Sequence, residues 1–79
     1  MVRRLGSYGE AMHRAHLAQA ERHIAEGERR IVEQRARVGV LARTGADTFR
    51  SLELLRLLEL TLTQMIGHRQ LILRELALA

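Results

Sequence analysis

Leu17, Ile24, Ile31 and Val38 recur every seventh residue, and His13, Ala20, Gly27, Gln34 and Leu41 fill the column between them. Two columns spaced three and four residues apart form one stripe along an α-helix, which predicts a long helix packed against a neighbour. The second column is small or polar where leucine would be usual. Small residues there let a partner helix approach closely, at some cost in helix propensity at Gly27. Other architectures are poorly served. Proline is absent from all 79 residues, so nothing forbids long unbroken helices. Phe49 and Tyr8 are the only aromatic residues, and β-branched residues and turn chemistry are too scarce for a sandwich or barrel.

Ser7 and Glu10 make an S-x-x-E capping box, so the first helix is expected over about 8–43, after a flexible segment 1–7. The one clear break is "ARTGADT". Gly45 suits a left-handed residue just past a helix end, and Asp47 suits the N-cap of a second helix. The turn is therefore placed at 44–47 and the second helix at about 48–77. So short a turn makes the helices antiparallel neighbours. With residues whose numbers sum to about 90 facing each other, Leu17 meets Leu73, Ile24 meets Ile66, Val38 meets Leu52 and Leu41 meets Phe49. The outer face of the first helix carries i,i+4 charge pairs: Glu10–Arg14, Arg22–Glu26, Glu26–Arg30, Arg29–Glu33 and Glu33–Arg37.

The second helix holds more leucine than one neighbour can cover. Projected at about 100° per residue, Leu52, Leu54, Leu55, Leu58, Leu62, Met65, Ile66, Ile72, Leu73 and Leu76 span roughly 160°, where a surface helix typically shows an apolar stripe of about 100°. Leu57, Leu60, Leu71 and Leu78 fall outside even that arc. The expectation is an all-α, coiled-coil-like hairpin that self-associates, with a homodimeric four-helix bundle preferred over a tetramer and Leu54, Leu57, Leu60 and Leu71 in the interface. The surplus leucines are alternatively kept for an unidentified helical protein partner.

Little points to chemistry. With no cysteine, disulfides, thiolate metal sites and thiol catalysis are excluded. Gly39 and Gly45 are isolated and form no phosphate loop, the serines fall near helix starts, and the carboxylates interleave with arginines. No enzyme activity, cofactor or metal is expected. The nearest candidate ligands are His13, His16 and His23, with His68 opposite His23, but no H-E-x-x-H or Glu-x-x-His pair accompanies them. Arg69 falls inside the apolar arc of the second helix, near Glu21, where it pairs with that carboxylate or reaches solvent.

The net charge is +4, and all thirteen basic residues are arginine. A basic rod of this kind could lie along a phosphate backbone through Arg22, Arg29, Arg30 and Arg37, so a small nucleic-acid-binding protein is the alternative reading. Glu21, Glu26, Glu28 and Glu33 neutralise much of that face, and aromatic stacking residues are nearly absent. Glu53, Arg56 and Glu59 interrupt the leucine-rich stretch, short of a spanning segment, and the start resembles no secretory signal. Interfacial helices usually carry Trp or Phe and a strongly cationic polar face, whereas this chain has a single Phe, Phe49, and no Trp. A cytoplasmic protein with no membrane partner is the expectation.

The stretch "HLAQAERHIAEGERRI" at 16–31 resembles the first helix of a group of short, uncharacterised bacterial helical-hairpin proteins, which reads H-L-A-x-A-E-R-H-x-x-x-G-E-x-x-I. Gly45, Asp47 and Thr48 match their G-x-D-T loop, and "HRQLILREL" at 68–76 is similar to their closing H-R-x-x-L segment. The resemblance covers most of 16–76 and implies a bacterial helical hairpin; it brings no activity with it. The second helix is richer in leucine here than in that pattern.

Overall fold

A computed structural model describes residues 2–78, with side chains described over 9–78. It comprises two helices and, among the described residues, no strand: α1, Val2–Arg43, and α2, Phe49–Leu78. The two pack antiparallel into a rod of 66 × 14 × 13 Å.

The turn is built by the residues that predicted it. Gly45 takes a left-handed φ of 76°, a conformation that costs glycine nothing. The Ala46 amide donates to Leu41 O (3.0 Å) and the Gly45 amide to Ala42 O (3.3 Å), which satisfies two carbonyls that the end of α1 leaves open. Asp47 Oδ1 accepts from the Phe49 amide at 2.9 Å and so caps α2.

The interior is one seam. On α1 it runs through His13, Leu17, Ala20, Ile24, Gly27, Ile31, Gln34, Val38 and Leu41, the stripe expected from the heptads, and every member is buried or half-buried. The α2 side keeps the same alternation of three and four: Leu55, Leu58, Leu62, Met65, Arg69, Ile72 and Leu76. Where Gly27 faces this line, the helices come close enough that a Cβ on Gly27 would lie 2.8 Å from Met65 Cε. Gln34, also buried, donates from Nε2 to Ser51 O at 2.8 Å, which satisfies its amide within the seam.

Several expectations need correcting. The backbone is helical from Val2, so residues 2–7 continue α1 and the Ser7–Glu10 box lies inside the helix. No proline interrupts that stretch, and a capping pattern inside a sequence that can stay helical does not start a helix by itself. Because Glu75 of α2 reaches only as far as His13, the beginning of α1 runs past the end of α2. Leu52 and Ile66, assigned to the seam opposite Val38 and Ile24, are exposed, and Phe49, assigned opposite Leu41, is 67% exposed. A pair of helices buries positions at a period of 3.5, and the projection at 3.6 admits flanking positions that the seam leaves out.

Candidate interaction surface

The buried apolar side chains among the described residues are Ala20, Ile31 and Ile72, and none of the described side chains is fully buried. Against this small interior stands a long list of apolar residues that α2 leaves in solvent. Leu57, Leu60 and Leu71 are 56%, 55% and 53% exposed, and Leu54 is 44% exposed. These are the four residues expected to form an interface, and the hairpin covers none of them. Leu78 continues the strip toward the end of α2. Isolated exposed leucines are ordinary on a soluble protein, whereas a set that shares one side of one helix is what an interaction surface looks like.

α1 adds exposed apolar residues that the heptad reading passed over, chiefly Val32 and Val40. Val32 flanks the seam on the side where Glu59 and Thr63 of α2 lie. Its place next to Ile31 and one turn after Glu28 was the available signal.

The polar groups tie the helices together around the seam. Arg35 donates from its guanidinium to Glu59 at 2.9 Å, Arg69 Nε sits 3.5 Å from Glu21 Oε2, and His13 Nε2 meets Glu75 Oε2. The Glu21–Arg69 pair follows from the expected register; the Arg35–Glu59 pair was missed, although it departs from that register by only about one helical turn. Arg69 Nε and His13 Nδ1 are both buried without a hydrogen-bond partner, so each polar group sits in the seam at a cost. Within α1, Glu10–Arg14 and Glu26–Arg30 form, at 3.8 and 2.8 Å. Arg22–Glu26, Arg29–Glu33 and Glu33–Arg37 are not among the ion pairs of the described residues. Glu26 is taken by Arg30, in the order of acid before base that suits a helix, and the first two missing pairs have the opposite order. Nothing in the structure explains the third.

The four arginines of the nucleic-acid reading are all exposed. They fall on two strips and do not form one face: Arg22 and Arg29 lie seven apart on the outer side of α1, and Arg30 and Arg37 lie seven apart beside the groove that Leu54 and Leu58 complete. Arg30 is neutralised by Glu26, and Glu33 lines the same groove as Arg37.

The histidines divide. His16, His23 and His68 line one shallow groove with Gln19 and Ala20, whereas His13 turns to Glu75. Among the described residues no group of three or more His, Cys, Asp or Glu side chains is placed to hold a metal ion. No described helix is long and apolar enough to cross a membrane. Comparison of the chain with protein-family models, with curated proteins and with solved structures finds no match.

Proposed function

We propose that this chain is a small non-enzymatic interaction protein that works as an assembled unit. Two hairpins bury the leucine strip of α2 against each other and form a dimeric four-helix bundle, with a structural, adaptor or regulatory role in protein–protein contact. The observation that carries this reading is the imbalance in α2. Ile72 is its one buried residue, while Leu54, Leu57, Leu60 and Leu71 stay in solvent along it. A chain this short rarely stabilises itself on one small core, and assembly is a common remedy. A helix apolar on several sides is normally covered on those sides.

The test is absolute mass in solution, by light scattering behind size exclusion, over a range of protein and salt concentrations. A dimer that persists at high salt supports leucine burial as the driving force. A monomer at every concentration overturns self-association. A dimer that dissociates as salt rises overturns the apolar interface in favour of a charged one.

A further inference from the structure

The exposed strip of α2 has its own register. From Leu57 the steps to Leu60, Gln64, Gly67 and Leu71 alternate three and four, the same rhythm as the seam that faces α1. The next residues in that rhythm are Glu53 before Leu57 and Arg74 after Leu71. We infer that two copies meet chiefly through α2, antiparallel, on a two-fold axis that passes close to Gln64. This rests on the reading of the leucine strip as a self-association surface and adds its orientation and register.

Three observations agree on it. The first is charge. Glu53 and Arg74 lie at opposite ends of the strip, and neither is in an ion pair within the hairpin among the described residues. Antiparallel pairing sets Glu53 of each copy against Arg74 of the other, whereas parallel pairing sets like against like. The strip is therefore complementary to itself in one direction only, as a two-fold interface requires.

The second is Gly67. It lies in the interior of α2 without a positive φ, and a Cβ built on it meets nothing within 4 Å. The hairpin thus gains nothing from a glycine there, while the helix loses stability by having one. An antiparallel copy brings Leu60 over this position, where the missing side chain admits it, and brings Leu57 against Leu71.

The third is Gln64, the polar residue at the centre. A side-chain amide both donates and accepts, so two glutamines across a two-fold axis can satisfy each other. A polar residue in an otherwise apolar strip also penalises every shifted register, in which it meets leucine.

The experiment uses the absence of cysteine from the chain. Gln64→Cys, Glu53→Cys and Arg74→Cys are made singly in the full chain, checked for helicity by circular dichroism and for mass by light scattering, then oxidised or treated with a short bis-maleimide. The expected result is that Q64C crosslinks to itself almost completely. E53C and R74C crosslink poorly alone and several-fold more when mixed. Should E53C crosslink to itself as readily as Q64C, the pairing is parallel and the inference is overturned. A chain that is dimeric by mass yet crosslinks at none of the three positions overturns this interface and leaves self-association standing. A monomer by mass overturns both. As a second measure, Glu53→Arg or Arg74→Glu alone should weaken the dimer, and the two together should restore it. Failure of the double variant to restore it also overturns the arrangement.

Discussion

Replacing Leu57 and Leu60 together by glutamate tests the assembly most directly, because neither belongs to the seam. Burying a leucine completely contributes roughly 1.5–3 kcal/mol. Leu57 and Leu60 already have somewhat under half of their surface covered, at 56% and 55% exposed. Each therefore has about 1–1.5 kcal/mol still to gain from a second copy. Counting Leu71 and Leu78 on both copies, the dimer gains on the order of 8–12 kcal/mol from leucine. Association costs at least about 4 kcal/mol in lost freedom of motion. At that minimum cost about 4–8 kcal/mol remains, which sets the tightest dissociation constant expected at about 1 mM to 1 μM. The double substitution removes half of the leucines from a symmetric interface, about 4–6 kcal/mol, which weakens association by roughly three to four orders of magnitude. Analytical ultracentrifugation should thus find the wild type shifting from monomer to dimer between micromolar and millimolar concentrations, and L57E/L60E monomeric throughout. Self-association through this strip would couple folding to assembly, so the thermal midpoint should rise with concentration for the wild type and lose that dependence in the variant. A double variant that keeps the wild-type mass and the concentration dependence refutes the assignment of the strip.

Five further variants probe the hairpin and the charged face. In Gly27→Ala the new Cβ approaches the mobile end of Met65, which can swing aside, so the gain in helix propensity of up to about 1 kcal/mol should raise the thermal midpoint by a few degrees in circular dichroism; Gly27→Leu cannot be absorbed in this way and should lower it sharply. Arg69→Leu exchanges a buried Nε that makes no hydrogen bond and only a 3.5 Å ion pair, worth at most about 1 kcal/mol at a partly exposed site, for apolar packing, so denaturant unfolding should show a gain of around 1 kcal/mol; a loss would mean that the Glu21 pair matters more than its geometry indicates. Asp47→Ala removes the acceptor of the Phe49 amide and should cost about 1 kcal/mol, read by the same titration. Replacing Arg22, Arg29 and Arg37 by glutamine should leave helicity and mass unchanged, since none of the three is in an ion pair among the described residues; contact with nucleic acid through α1 requires that salt-sensitive binding to duplex DNA, followed by fluorescence anisotropy, then disappear.

The sequence by itself determined the turn and the face of α1. Gly45 and Asp47 act through local backbone chemistry, which needs no partner to be legible, and both perform the roles their residue types imply. The α1 stripe was equally plain. Its apolar column is narrow and its other faces are charged, so a single assignment fits. In α2 the same reasoning failed. Leucine occurs on nearly every side of that helix, and a pattern with too many apolar positions is compatible with several choices of inward face. Only the pairing of the two helices decided among them. Leu55, Leu58, Leu62, Met65, Ile72 and Leu76 turn inward with the polar Arg69, and Leu52 and Ile66 turn out. The physical reason is that two helices in contact share one line of closest approach, set here by the turn. That line also left Leu57, Leu60 and Leu71 on the outside, where the helical projection of the sequence had already placed them, beyond the apolar arc.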